Sequence, residues 1–333
     1  MIECIFTIDY EIYGNGDGSL KELVYEPAQK LKGIFQAAGV KSVMFVEAAE
    51  LEMIENFRTD PAIDEVKDQV KELYDQGHEI GLHLHPQWYN AHCENGRWLL
   101  DPSEYNLCVL PEERIAEIVD RSISYLRNVL GDPEFIPISF RAGNWLFQPT
   151  MPAAEVLWER GIKIDSSVFK GGLQRQNGLD YRASTANGYF WKFKNNVNKP
   201  DPDGSMLEIP IYTRKVPFWK MATGKRLGLQ RQSSTNRKTA IQRWYQLLDR
   251  ARFWYPLKFD FCRMTTDELT GIVDTVLRED QKDPESLRPL VAIGHTKDLV
   301  DHKTVELFLS YLDKKGIPVT TFDEIYQKCD LEK

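Results

Sequence analysis

Two carboxylates two positions apart, Asp9 and Glu11, and two imidazoles two positions apart, His83 and His85, are the residues of this 333-residue chain best spaced for shared chemistry. Side chains two apart on an extended strand leave from the same face, so each pair can address one point. Imidazole with carboxylate is a ligand set for zinc and similar divalent cations. One carboxylate would complete such a site while the other serves as base to a bound water. Taken singly, each pair has a plainer reading: core hydrogen bonding for the histidines, loop capping for the acids. Taken together at strand ends, they favour a metal. His295 follows the apolar run Leu290–Gly294, whose glycine lets the backbone come close, and could protonate a leaving amine. Arg141 could orient a carboxylate, although alone it reads as an ordinary salt-bridge arginine. Asn144, Trp145, Asp165, Ser166 and Ser167 extend the polar list.

These positions gain meaning from the elements that carry them. Short apolar strands alternate with amphipathic helices: strands at Ile2–Ile8, Ser42–Val46, Glu79–Leu84, Ile138–Phe140, Lys163–Asp165, Met206–Ile211, Leu290–Ile293 and Val319–Thr321. Helices are expected from Pro27 to Gly39, after Asp60-Pro61 to Gly77, over Pro111–Leu130 and Pro152–Arg160, from a cap at Thr265 or Thr266 to about Leu277, and over Val305–Leu312. Six to eight such units imply an α/β fold, a distorted (β/α) barrel of seven parallel strands. Barrels of this kind display reactive groups where strands end at their carboxyl side, and the polar list falls there. Residues 1–329 read as one barrel domain. Gly171–Gly204 reads as loops with a hairpin around Tyr189–Phe193.

Charge sharpens the picture. The chain is net −8, yet residues 213–263 hold 13 Lys/Arg against Asp249 and Asp260. This basic insertion, interleaved with Phe218, Trp219, Trp244, Phe253, Trp254 and Tyr255, has Ile241, Trp244, Leu248 and Ala251 at helical spacing. It would suit an anionic membrane surface, or the phosphates of a nucleotide- or lipid-linked sugar, as well as plain packing on the barrel wall. No nucleic-acid motif accompanies it, so no nucleic-acid partner is expected. Five scattered cysteines give neither a zinc-thiolate spacing nor a disulfide framework. The apolar runs are too short to span a bilayer and the N-terminus has no secretory pattern. A cytoplasmic protein follows, with room for a peripheral place on the inner face of the membrane.

Five segments carry a resemblance: Thr7-Ile-Asp-Tyr-Glu11, Gly77-His-Glu-Ile-Gly-Leu-His-Leu-His-Pro-Gln-Trp88, Phe140-Arg-Ala-Gly-Asn-Trp145, Ile164-Asp-Ser-Ser167 and Ile293-Gly-His-Thr296. In this order they resemble the motifs of the polysaccharide deacetylases, the NodB-homology group of carbohydrate esterase family 4, in a divergent branch with an HLHPQW motif. The likeness runs from residue 1 to about residue 325 and is interrupted by the basic insertion. It implies Asp9 as catalytic base, Glu11 and His83 as metal ligands, Arg141 as the residue steadying the base, Asp165 as the acid of the fourth motif, and His295 as general acid. Trp88 and Trp145 would line a sugar pocket. The family's second histidine stands four residues after the first, and here that position is Gln87. Either His85 or Gln87 would replace it.

The reading that follows is a zinc-type metal hydrolase that removes an N-acetyl group from an amino sugar or sugar precursor, in surface polysaccharide or O-antigen assembly. Two other readings are a hydrolase of a non-sugar C–N bond, of deformylase or ureide type, and a catalytically silent carbohydrate-binding protein.

Overall fold

The structure, a computed structural model, describes residues 1–221, 223–226 and 252–331. Its frame is a sheet built from β1 (Ile2–Tyr10), β2 (Val43–Glu47), β3 (Glu79–Leu84), β4 (Ser139–Ala142), β5 (Ile164–Asp165), β6 (Trp191–Phe193) and β7 (Met206–Glu208). Two further strands, β8 (Thr213–Pro217) and β9 (Trp254–Lys258), form a separate antiparallel ribbon. β10 (Arg288–His295) and β11 (Val319–Thr320) return to the sheet. The spatial order is β6-β7-β5-β4-β3-β2-β1-β10, and β11 pairs with the first half of β1. From β7 to β10 the seven strands are parallel, as the sequence implies; β6 alone is antiparallel, to β7.

The sheet curls until its ends meet. Just past β7, Ile211 bridges to Val291 of β10, and the N–H of Tyr212 donates to the carbonyl of Val291 at 3.1 Å. Isolated pairs of this kind, in place of a full ladder, make the barrel a distorted one. Every residue of β1 and β2 is buried, which is why these strands read as nearly continuous apolar runs. The longer helices among the described residues are α1 (Glu26–Ala38), α2 (Ala48–Phe57), α3 (Ile63–Asp75), α4 (Glu112–Leu130), α5 (Ala153–Glu159), α6 (Thr266–Asp280), α7 (His302–Lys314) and α8 (Phe322–Leu331). α6 starts where expected: Thr265 Oγ1 accepts from the N–H of Glu268 at 3.3 Å, and Glu268 accepts from the N–H of Thr265 at 3.0 Å. Such a reciprocal cap satisfies two helix-end donors that would otherwise lack partners.

Register positions the site. Asp9 lies opposite His295 across β1 and β10, and Glu47, His83 and Arg141 lie abreast on β2, β3 and β4. Two expectations need correction, and one helix was not anticipated. Trp191–Phe193 is an edge strand of the main sheet, because its buried Trp191 and Phe193 pack inward; the local hairpin instead joins Leu173–Gln174 to Leu179–Asp180. α2 follows β2 without a loop, a compact turn that periodicity did not reveal. The helix after Asp60 starts at Ile63, since the Asp60 carboxylate is occupied by the N–H groups of Ala62 and Leu20, both at 2.8 Å. The helix expected at Ile241–Ala251 lies outside the described residues.

Candidate active site

Asp9, one residue before the end of β1, lies inside the barrel mouth, 2% exposed. Its Oδ1 accepts from Arg141 Nη1 at 2.7 Å, and its Oδ2 faces His295 Nε2 at 3.3 Å. Burial pushes the Asp9 carboxyl up, but Arg141, helped by His83 and His295, outweighs it and holds the group below the ordinary aspartate value. Arg141 is itself fixed. Its Nε donates to the carbonyl of Ser166 at 2.9 Å, its Nη2 to Ser166 Oγ at 3.2 Å, and its plane lies over the Phe45 ring. A side chain with this many restraints orients Asp9 as well as neutralising it.

Glu11 lies one residue past β1. Its Oε1 accepts from Lys297 Nζ at 2.8 Å, and its Oε2 faces His85 Nε2 at 3.1 Å and His83 Nε2 at 3.5 Å. Burial raises the Glu11 carboxyl, yet Lys297 and the two histidines hold it well below the usual range. The imidazoles stand perpendicular, 5.1 Å apart, with the opposite nitrogens engaged. His83 Nδ1 meets the Arg141 carbonyl at 2.8 Å, so it carries a proton and leaves Nε2 turned toward Glu11. His85 Nδ1 meets Asn144 at 3.2 Å.

This arrangement fits a divalent cation. Glu11 Oε2 and His83 Nε2 are buried without any hydrogen-bond partner, and together with His85 and Glu47 they lie close enough to hold one ion. Desolvation lowers the His83 basicity, but Asp9 and Glu11 raise it to about 9. The acids that hold a proton there would draw a cation in its place. Glu47 suits an outer role. Its Oε2 accepts from the His85 N–H at 2.6 Å and its Oε1 from the Glu50 N–H at 3.4 Å, and burial lifts it to about 7. A second grouping, Asp9, Glu11 and His295, is also within reach of one ion.

The remaining expected residues divide into those near this centre and those behind it. The structure brings His85 to Glu11 Oε2; Gln87 is buried in the short helix Pro86–Asn90 with its Oε1 unpartnered. Asp165 lies deeper. Ser167 Oγ donates to it at 2.6 Å while accepting from the Ala142 N–H at 2.8 Å, which ties β5 to β4. Burial raises Asp165, and it raises the neighbouring Glu208 further, so these two acids support the wall as hydrogen-bonded carboxyls. Trp88 is wholly buried against Trp98, with ring centroids 5.1 Å apart, and meets no solvent. Trp145 does face His295, edge to face at 6.1 Å. It is held there by two successive left-handed residues, Asn144 at φ 55° and Trp145 at φ 61°, a costly backbone for side chains of this size. Gly143 permits that turn, because a Cβ there would lie 2.6 Å from the Leu84 carbonyl and 2.7 Å from the His85 ring. At Gly294 the close approach is to the Phe261 ring and Cys262.

Several polar residues of the mouth were not anticipated. Glu47 was missed because the strand was ended at Val46, one residue short; the strand-end rule applied one step later finds it. Lys297 and Asp298 stand two and three residues after His295, and their charges could have been read with it. Asp298 Oδ2 pairs with Arg263 at 2.5 Å and faces His295 Nδ1 at 3.8 Å. Lys258 and Glu208 carry no local signal. Two cavities lie elsewhere: about 840 Å³ between α1 and α7, and about 270 Å³ around Tyr189 and Tyr212.

Neither a protein-family model nor a curated protein sequence matches the chain. Solved structures do. A protein from Mycobacterium smegmatis designated a polysaccharide deacetylase superposes with a TM-score of 0.53 at 14% identity, over 98% of this chain and 89% of its own. An allantoinase gives 0.51 at 14%, over 98% and 89%. A GH57 branching enzyme from Thermococcus kodakaraensis gives 0.55 at 11%, over 98% and 70%. Likeness at these identities is likeness of fold. The chain is built on the distorted barrel that these proteins share.

Proposed function

We propose that the chain is a metal-dependent hydrolase that removes an N-acyl group, acetyl in the simplest case, from an amino sugar or sugar precursor. The observation that carries this reading is the meeting of Glu11 Oε2, His83 Nε2 and His85 Nε2 in one buried place beside an Asp9 held between Arg141 and His295. Glu11, His83 and His85 would hold the ion, and zinc fits the donor set. A divalent cation bound there supplies Lewis acidity toward the amide carbonyl and an attacking water.

The protein's own groups then handle the protons. Asp9 Oδ1 is committed to Arg141, so Oδ2 is the oxygen that takes the proton from the attacking water. Burial holds His295 below the ordinary histidine value despite Asp9 and Asp298, so it enters neutral. With Nδ1–H toward Asp298, its Nε2 is free to receive the proton that Asp9 has collected and to pass it to the departing amine. Asp298 stabilises the imidazolium in between. The water hydroxyl ends on the acyl carbon and both fragments leave balanced.

The fold neighbours named as polysaccharide deacetylase and allantoinase lend this reaction class support. The finer substrate reading is a lipid- or nucleotide-linked sugar in surface polysaccharide or O-antigen assembly, met at the inner face of the membrane. Its support is the ribbon tip, where Phe218, Trp219, Phe253 and Trp254 are each about half exposed beside the exposed Arg214 and Lys215. Among the described residues no helix is long and apolar enough to cross a membrane. Sedimentation with anionic and neutral vesicles tests that reading, and salt-insensitive or absent binding removes it.

The central test is acetate release from N-acetylated sugars by zinc-loaded protein. Asp9→Asn is expected to lose about 10²–10⁴ in rate. His83→Ala is expected to lose its equivalent of bound metal by elemental analysis. Equal rates and equal metal content in all three proteins would end the assignment.

A further inference from the structure

Four acids and four cations line the barrel mouth, and one of the cations has no direct partner among the described residues. Asp9 is matched by Arg141 at 2.7 Å, Glu11 by Lys297 at 2.8 Å and Asp298 by Arg263 at 2.5 Å. Asp260 accepts from the N–H groups of Cys262 at 3.0 Å and Arg263 at 3.1 Å, with the Arg263 guanidinium 3.6 Å away. Lys258, the last residue of β9, has no hydrogen-bonding or ion-pair partner among the described residues. Its ammonium lies 2.9 Å from the centroid of the Trp145 ring and 5.0 Å from that of Phe169. The other side of the Trp145 neighbourhood is His295. Lys258 is half-buried, and desolvation pulls it down to about 7, although Asp260 and Asp9 oppose this. An ammonium in that position lacks an acceptor, and an anion entering the mouth would supply one.

We propose that Lys258, backed by Trp145 and Phe169, forms a subsite for an oxyanion on the substrate, a carboxylate or a phosphate carried close to the amide. The proposal deepens the hydrolase reading above and rests on it for the identity of the amide. Trp145 offers a ring edge to the sugar while its face holds the lysine. The strained backbone at Asn144 and Trp145 is what sets the ring between Lys258 and His295. The aromatic cup orients the amine without neutralising it, since a ring quadrupole attracts a cation but accepts no full hydrogen bond.

The experiment is calorimetric titration of the full-length, zinc-loaded protein with N-acetylglucosamine, N-acetylglucosamine 6-phosphate, N-acetylmuramic acid and orthophosphate. Wild type is expected to bind at least one anionic sugar about tenfold or more tightly than the neutral one. The phosphate and carboxylate arms show which oxyanion is preferred. Lys258→Met, which keeps the unbranched chain but removes the ammonium, is expected to abolish that preference, and Lys258→Arg to retain it. Equal affinity for all the sugars in wild type, or an unchanged preference in Lys258→Met, overturns the subsite: the aromatic cup alone then accounts for the lysine. Orthophosphate separates the two claims. If no acetate is released by any preparation while orthophosphate still binds wild type and not Lys258→Met, the hydrolase reading fails and the subsite stands.

Discussion

His78 and His83 stand at opposite ends of one strand, equally hidden from solvent, and titrate in opposite directions. His78, just before β3, is pushed down to about 4 by burial and by Lys41 and Lys32. Its Nδ1 lies 3.2 Å from the N–H of Ser42, which it can accept only when that nitrogen is unprotonated. His83, near the carboxyl end, is raised to about 9 because Asp9 and Glu11 overcome the same desolvation. Burial makes any charge expensive, and what surrounds the group decides whether it keeps one. The amino end of the barrel is packed for stability. Its carboxyl end gathers acids tightly enough to hold protons or cations.

The comparison breaks most visibly at Arg141. Replacing it with Met leaves the Asp9 carboxylate buried without its partner, and should cost about 3–5 kcal/mol in urea unfolding at neutral pH. A loss below about 1 kcal/mol would mean that the mouth is not electrostatically coupled as described. His78 tests the other end. Its folded value lies below its unfolded one, so its contribution is fully present above about pH 6.5 and is lost as the pH falls toward about 4. Between pH 7 and 5 the protein should lose roughly 2 kcal/mol that His78→Gln does not lose. Parallel stability curves for the two proteins would remove His78 as the cause. The smallest effect belongs to the ribbon tip. Trp219→Ser, at a position 54% exposed, should change stability by no more than about 0.5 kcal/mol. A larger loss would show the aromatic tip to be a packing element.

Much of the site was legible because strand ends are marked by a change from apolar to polar residues. Asp9, Glu11, His83, His85, Arg141, Asp165 and His295 all stood out in that way, and the structure places each at or beside the carboxyl end of its strand. The i, i+2 argument for His83 and His85 also agrees with the geometry, since both nitrogens reach the same Glu11 oxygen. Trp88 shows the limit of such reading. An aromatic near a site serves as readily in the core as in a pocket wall, and only its neighbour Trp98, brought in by a distant hairpin, decides which.

By itself the sequence determined most strands and helices of the parallel barrel and the short list of reactive side chains, because periodicity and strand-end polarity are local properties. Tertiary structure alone decided the other partners: Lys297 for Glu11, Glu47 behind His85, and Lys258 over Trp145. Those choices depend on the register between strands that are far apart in the chain and on the curl that brings β10 round to β7. Pairing energies of buried charges depend on ångström-scale distances, and no local pattern encodes them.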